Sequence, residues 1–230
     1  MIKYFFSSLT RISDLAEEGF ATEPWEPDDW ATGDYVVGEV VGRAGELSRV
    51  ELRSGRMIEV VEGDLVVGAL GSRRATLEAV GDWRNITGDG TFHALTAAGL
   101  FGRVTSLAPW MPPIMRLRYV GHVTRDGGKV TMDDFVPPIP DAVYDAPTLL
   151  IIGTSMSAGK TTAAKRIIRH LKGLGLHIAG TKLTGAGRYR DVLAMWDAGA
   201  DDIYDFVDVG LPSTILDPEE YRRRLRQLLS

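Results

Sequence analysis

Hydrophobic positions follow one pattern from residue 34 to residue 136. Short runs of mostly β-branched residues alternate there with glycine turns, as in DYVVGEVVG, LVVGALG and MRLRYVGHVTR. Runs of this length bounded by glycine predict β-strands, and several of them at short spacing predict a small β-barrel or sandwich. We therefore expect one mostly-β domain over 34–136. Within it, TFHALTAAGLFG (residues 91–102) is predicted to form one short helix between two groups of strands.

The pattern changes after a proline-rich segment at residues 137–147, PPIPDAVYDAP. Proline fixes φ and cannot donate a hydrogen bond to a strand ladder, so this segment is predicted to be a linker. From residue 148 to residue 230 the apolar positions predict strand, glycine loop, helix, strand, helix, strand and helix. This order is typical of a parallel α/β sheet. Residues 1–33 are predicted to be an N-terminal extension with a short helix at 13–18.

Composition narrows the class of protein. The 230 residues are 44% hydrophobic and 25% charged, which is usual for a globular protein, and the net charge of -5 argues against a nucleic-acid partner. A membrane partner is not expected, because no run approaches the roughly 20 apolar residues that span a bilayer. The first residues also lack the pattern of a secretory signal. The absence of cysteine excludes disulfides and thiolate chemistry and favours a reducing, cytoplasmic setting.

A glycine-rich loop in the last region carries the strongest chemical signal. The segment IIGTSMSAGKTTAAK contains GxxxxGK[ST] at Gly153, Gly159, Lys160 and Thr161. The apolar run at 148–152 is expected to be a parallel strand buried on both faces, and apolar residues at helical spacing follow the loop. A strand before the loop and a helix after it are the context that a phosphate-binding loop requires. The alternative is a structural strand-to-helix turn whose lysine faces solvent.

The residue types in this loop suit the binding of a nucleoside triphosphate with Mg²⁺. Small residues let the backbone curl so that successive N–H groups point at the β-phosphate, and the helix N-terminus adds a partial positive charge. Lys160 is predicted to neutralise β- and γ-phosphate oxygens, Thr161 to bind Mg²⁺ and Thr162 to contact the α-phosphate. The predicted nucleotide-binding residues are Gly153, Thr154, Ser155, Met156, Ser157, Ala158, Gly159, Lys160, Thr161 and Thr162.

The loop GTSMSAGKTT resembles those of the SIMIBI class of P-loop proteins, such as dethiobiotin synthetase, cobyrinic acid synthase and the MobB nucleotide-binding proteins. The segment LHIAGTKLTGAG is similar to the second strand of those families, which implies that Lys182 faces phosphate or substrate. A closer likeness, over residues 147–216, is to uncharacterised P-loop proteins. The resemblance implies an α/β fold with a parallel-sheet P-loop domain at 148–230, after the mostly-β domain. Only three strands of that sheet are predicted. The domain at 148–230 is therefore either a short but complete P-loop domain or one that lacks some of the usual strands.

Acidic residues would complete a magnesium site with Thr161. The candidates are Asp191, which follows a glycine-containing loop, and Asp208, which lies beside Asp205 near the end of an apolar strand. Open α/β sheets bind ligands at the carboxyl ends of their strands. The alternatives are a first-turn position for Asp191 that is favourable to the helix dipole, and a surface-loop position for Asp208. The guanine-selecting NKxD element is absent, so ATP is the expected nucleotide and GTP the alternative.

These observations favour an ATP-dependent enzyme that phosphorylates a small substrate, or activates it as a ligase does, with Lys160, Lys182 and Asp191 as catalytic residues. The alternative is a nucleotide-sensing regulatory or scaffold protein with little hydrolysis, whose barrel binds a partner. The open edge of the short parallel sheet is expected to be covered by the barrel, a second copy or a partner subunit. The arginines of the last helix are expected on its solvated face: Arg222, Arg223, Arg224 and Arg226.

Overall fold

The structure, a computed structural model, describes residues 3–42, 48–138, 144–154 and 158–230. It is mixed α/β, with a large, mostly β sheet and three helices. The strands are β1 (Tyr4–Phe6), β2 (Ala21–Glu23), β3 (Tyr35–Val40), β4 (Arg49–Glu51), β5 (Met57–Glu59), β6 (Leu65–Leu70), β7 (Ser72–Arg74), β8 (Ala79–Asp82), β9 (Thr91–Thr96), β10 (Leu100–Leu107), β11 (Arg116–Arg125), β12 (Gly128–Lys129), β13 (Ala179–Lys182) and β14 (Asp202–Asp205). The helices are α1 (Lys160–Gly173), α2 (Tyr189–Trp196) and α3 (Pro218–Leu229). Among the described residues, no helix combines the length and the apolar character needed to cross a membrane.

Five strands of the large sheet close into a ring, as in a small barrel. β6 pairs antiparallel with β3, β3 with β11, β11 with β9 and β9 with β10, and β10 returns to β6 in parallel. Close packing inside the ring requires glycine at position 68. A Cβ there would lie 2.3 Å from the carbonyl oxygen of Gly99 and 2.6 Å from the ring of Phe101. The predicted mostly-β region at 34–136 therefore forms around a closed set of strand pairings.

The helix predicted at residues 91–102 is wrong. This segment forms β9 and the start of β10, an antiparallel hairpin whose turn uses Gly99 at a φ of 85°. Phe92 and Ala94 lie in one hydrophobic cluster and Leu95 in another, so both faces of the segment are buried. Burial on both faces removes the apolar–polar alternation that identifies a strand. The helix expected at residues 13–18 is also absent, and turns occupy that segment.

The first 33 residues contribute to the sheet. β1 pairs in parallel with β6, and β2 pairs antiparallel with β11. Trp25 and Trp30 pack against the barrel cluster that contains Phe92 and Phe101. The described part of the predicted N-terminal extension is thus joined to the barrel by strand pairing and by aromatic packing.

The C-terminal region contains a two-stranded parallel sheet. β13 and β14 pair from Ala179↔Asp202 to Lys182↔Asp205. Ile168 of α1 packs with Ala198, Ala200 and neighbouring apolar residues on this sheet. The crossover helix that joins β13 to β14 is α2, which packs on both strands, and α1 packs beside it against the same apolar residues.

The apolar run at 148–152 does not form the buried strand that its composition predicts. Residues 144–154 have no strand pairing, and the side chains of Leu149, Leu150 and Ile152 are 67%, 68% and 81% exposed. An apolar strand is buried only if neighbouring strands and covering helices meet it on both sides. The parallel sheet of a P-loop domain is therefore not present among the described residues.

The C-terminal region also packs on the barrel. Phe206, Val207 and Leu211 belong to the hydrophobic cluster that contains Leu100 and Val123 of the barrel. Helix α3 adds an ion pair, because Arg224 is buried and contacts Asp133 as well as Glu220. The expectation that all four arginines of this helix lie on its solvated face is wrong for Arg224. Its guanidinium also donates to the carbonyl of Val209, which only a buried side chain at this position can reach.

Candidate functional site

The glycine loop ends in a left-handed turn directly before α1. Gly159 has a φ of 84° and a ψ of 4°, and its carbonyl accepts the N–H of Ala163 as the first turn of the helix forms. This backbone conformation costs glycine little and strains residues with a Cβ. Lys160, the first helical residue, consequently leaves the loop at the positive end of the helix dipole.

The start of the loop lies against the lysine. A Cβ on Gly153 would be 3.0 Å from Cγ and 3.2 Å from Cδ of Lys160, and 3.3 Å from Cβ of Ala158. The chain thus returns on itself within seven residues, so that the first glycine of the motif contacts the stem of the motif lysine. Ser155, Met156 and Ser157, which were predicted to supply amides to the phosphates, lie outside the described residues.

An open cavity of about 200 Å³ lies at the N-terminal end of α1. It is lined by Ala158, Gly159, Lys160, Thr161 and Thr162. The hydroxyl-bearing residues Thr161 and Thr162 are exposed there, as is Thr154 at the other end of the loop. The first N–H groups of a helix have no acceptor within the helix, and they are available to an anion that enters such a space.

A second group of predicted residues lies at the carboxyl end of β13. Nζ of Lys182 is 2.6 Å from Oδ2 of Asp191 and 3.0 Å from the carbonyl oxygen of Ala186. Both charged side chains are partly buried, with exposures of 18% and 34%. Two residues predicted to be catalytic are therefore together as an ion pair. A substrate anion that binds Lys182 must compete with Asp191 for its ammonium group.

Asp205 ends β14 beside this pair, and Asp208 lies in the 3₁₀ turn that follows, Phe206–Val209. Oδ1 of Asp205 accepts the N–H of Val207, and Oδ2 of Asp208 accepts the N–H of Asp205. This reciprocal capping holds the two carboxylates next to each other. Asp205 is fully buried, while Asp208 is 31% exposed.

Arg11 pairs with both carboxylates. Its Nη2 lies 2.7 Å from Oδ1 of Asp205 and 2.9 Å from Oδ1 of Asp208. Burial acts to lower the pKa of Arg11, but the two carboxylates outweigh it and the pKa is raised. Burial raises the pKa of the Asp208 carboxyl, although Arg11 opposes this shift. Two charged groups therefore lie side by side at the carboxyl ends of the parallel strands: Lys182 with Asp191, and Arg11 with Asp205 and Asp208.

Sequence reasoning missed Arg11 and also Glu51. Glu51 is fully buried, and its Oε1 accepts hydrogen bonds from the hydroxyl of Ser8 and from the N–H of Tyr189. The guanidinium of Arg11 stacks on the ring of Tyr189 at 4.8 Å. Arg11 and Asp205 are separated by 194 positions, so no local pattern could have linked them.

The predicted metal ligands are divided between the two groups. Thr161 lines the cavity at the start of α1, whereas Asp191 and Asp208 are paired with Lys182 and Arg11. Among the described residues, no three His, Asp or Glu side chains are grouped so as to hold a metal ion. The carboxylates nevertheless have the chemistry that Mg²⁺ selects, because it prefers oxygen ligands from one or two carboxylates, phosphate and water. Comparisons with protein-family models, curated proteins and solved structures find no match to this chain.

Proposed function

We propose that this protein binds a nucleoside triphosphate with Mg²⁺ through residues 153–162. The observation that carries the proposal is the closed geometry of the loop, in which Gly153 lies against the stem of Lys160 and Gly159 turns directly into α1. This arrangement supports a phosphate site, because a lysine and a helix N-terminus then face the same cavity. Lys160 neutralises phosphate oxygens, and Thr161 offers its hydroxyl to Mg²⁺.

The proposal includes a parallel-sheet P-loop fold for the C-terminal region. In it, residues 148–152 add as a strand to an open edge of the β13–β14 pair. The apolar composition of the run and its exposed leucines support this step, since burying them against the sheet removes apolar area from water. Helix α1 already packs on the pair and joins the run to β13, as a crossover connection requires.

The reaction that fits this site best is phosphoryl transfer from ATP to a small substrate, or its ligase-type activation, in a reducing cytoplasm. Lys182 lies at the carboxyl end of a parallel strand, where open α/β sheets bind ligands, and its ammonium group suits an acidic substrate such as a carboxylate. Asp191, its partner, is the proposed carboxylate that helps to position the magnesium or the nucleophile. Phosphoryl transfer asks a protein mainly for positioning and charge neutralisation, which these groups supply.

A second candidate is a nucleotide-sensing regulatory or scaffold protein with little hydrolysis. The packing of Phe206, Val207 and Leu211 into the barrel cluster favours it, because a change at the carboxyl end of β14 would reach the barrel directly. In this alternative the barrel binds a partner. A second copy or a partner subunit then covers the exposed apolar run at 148–152.

Calorimetric titration of Mg²⁺·ATP and Mg²⁺·GTP into wild type and Lys160→Ala tests the site. We expect the variant to lose at least about tenfold in affinity, the size of an effect typical for a charged hydrogen bond. Lys165→Ala, the same substitution on the same helix, is the matched control and keeps wild-type affinity. Equal affinity of wild type and Lys160→Ala for both nucleotides contradicts the proposal.

Phosphate release on the same samples separates the two candidate functions. Turnover that rises with one member of a panel of small carboxylates supports the enzyme. Tight nucleotide binding without turnover over the whole panel supports the nucleotide-sensing protein.

A further inference from the structure

Arg11 binds the two carboxylates that a magnesium site at the carboxyl end of β14 would use. Asp205 and Asp208 both direct Oδ1 at Nη2 of Arg11, so the two oxygens converge on one point. A single positive charge at that point leaves one negative charge unbalanced on the two carboxylates, whereas a divalent cation would balance both. The arginine thus occupies a position whose ligands suit a small divalent cation.

Two buried atoms at this point lack partners. Oδ2 of Asp205 and Nη1 of Arg11 make no hydrogen bond with any described residue, although both atoms are buried. Unsatisfied buried polar atoms cost free energy, and in a native protein each calls for an explanation such as an unseen ligand or a functional role. The ion pair therefore does not use the full binding capacity of either group.

Glu51 is a second buried carboxylate with which Arg11 can pair. Its guanidinium stacks on Tyr189, and the N–H of that residue donates to Glu51. Oε2 of Glu51 is buried and makes no hydrogen bond among the described residues, and Nε of Arg188 lies 4.0 Å from it. Arg11 follows a 3₁₀ turn at Ser8–Thr10 and precedes a segment of turns, so its position does not depend on a long helix or a strand ladder.

We propose that Arg11 is an internal counter-ion that closes a divalent-cation site on Asp205 and Asp208, and that the cation binds when Arg11 withdraws toward Glu51. The inference rests on the proposed function in taking Mg²⁺ as the natural cation. It goes further by making the barrel region a competitor for that cation. Magnesium binding at the carboxyl end of β14 and a loosening of the turns around Arg11 are then one coupled step.

Titration of Mn²⁺ alone, without nucleotide, tests the competition, with free Mn²⁺ measured by electron paramagnetic resonance. Arg11→Gln removes the charge, and we expect it to bind Mn²⁺ about tenfold or more tightly than wild type, within the usual range of coupling between sites. The double variant Arg11→Gln with Asp208→Asn loses that gain. Arg125→Gln is the matched control, because it removes an ion pair to Asp14 in the same N-terminal segment. Equal Mn²⁺ affinity of folded Arg11→Gln and wild type overturns the proposal.

A measurement on wild type keeps the test decisive if Arg11→Gln does not fold. Hydrogen exchange of the Thr10, Arg11 and Ser13 amides, which donate within the N-terminal turns, should speed up when Mn²⁺ saturates the protein. Unchanged exchange at saturation contradicts the proposal.

The inference and the proposed nucleotide site fail separately. The gain in Mn²⁺ affinity caused by Arg11→Gln should persist when this substitution is combined with Lys160→Ala, because no nucleotide takes part in Mn²⁺ binding. If the protein binds ATP but Arg11→Gln does not change its Mn²⁺ affinity, the proposal of a nucleotide site stands and only the proposal of an internal counter-ion fails.

Discussion

The barrel and the C-terminal region complete their sheets to different degrees. In the barrel, β6 pairs with both β3 and β10, so the five strands have no open edge within the ring. In the C-terminal region, β13 and β14 pair only with each other among the described residues, and the apolar run at 148–152 stays exposed. Antiparallel strands can pair through short turns, whereas each parallel strand needs a crossover and a neighbour placed by distant residues. The same chain therefore contains one region with a closed sheet and one region with an open sheet.

The difference places the candidate chemistry in the less complete region. The glycine loop precedes α1 in the C-terminal region, and the charged groups lie at the carboxyl ends of β13 and β14, where the N-terminal segment supplies Arg11. Ligand-binding segments are commonly drawn from the less stable parts of a protein, because they must move to admit a ligand. We expect the ligand to complete the C-terminal region and to leave the ring of five barrel strands unchanged.

The largest effect should come from one substitution made in both regions. Leu100 is fully buried in the barrel, and Leu100→Ala should lower the free energy of unfolding by about 2–5 kcal/mol through lost burial and a cavity. Leu150 is exposed, so without ligand Leu150→Ala should change the free energy of unfolding by no more than about 0.5 kcal/mol. Urea denaturation followed by circular dichroism measures both.

The same pair of variants also tests whether residues 148–152 become a strand. With saturating Mg²⁺·ATP, Leu150→Ala should lower stability relative to wild type, because the leucine is then buried. An equally large loss for Leu150→Ala without ligand would show that the run is already packed and would remove the contrast between the regions.

A smaller effect is expected where the ring of strands is tightest. Gly68→Ala places a Cβ against the Gly99 carbonyl and the Phe101 ring, and such overpacking costs about 1–3 kcal/mol. Gly88→Ala is the matched control, since a Cβ there meets no atom within 4 Å. It should change stability by no more than about 0.5 kcal/mol. Thermal unfolding distinguishes them, and equal melting temperatures of the two variants would count against a closed barrel.

The smallest effect should be a pH dependence specific to the barrel. Burial acts to raise the pKa of Asp34, but the His122 ring, with Nε2 3.2 Å from Oδ2, and the hydrogen bond from Lys129 outweigh it, and the pKa is lowered below the usual 3.8. A carboxyl with a lowered folded-state pKa stabilises the protein above its unfolded-state pKa and loses that contribution as pH falls through the folded-state value. Unfolding free energy measured from pH 6 to pH 2.5 should therefore decline less in Asp34→Asn than in wild type. Parallel curves for the two proteins would contradict the assignment.

Part of the site could be predicted from sequence because its geometry is local. A glycine directly before a lysine and a helical apolar pattern predict a turn and a helix start, and the structure has both at Gly159 and α1. Most barrel strands could be predicted for the same reason, because short apolar runs form them and glycine-containing turns separate them. The hairpin at 91–102 was missed because burial on both faces hides the strand period.

The remaining features depend on groups far away in the chain. Arg224 is buried because Asp133 and the Val209 carbonyl contact it, although Arg223 beside it on α3 is exposed. Lys182 and Asp191 were both predicted to act in the site, but their pairing follows from how α2 packs beside β13. Sequence spacing could name these residues but could not name their partners.

The sequence by itself determined the turn at Gly159, the start of α1 and most strands of the barrel, because backbone preferences and apolar periodicity act over a few residues. Only the tertiary structure decided that residues 148–152 stay exposed and that Arg11 meets Asp205 and Asp208 across 194 positions. Burial and charge pairing depend on what the rest of the chain brings within contact distance, and no short stretch of sequence contains that information.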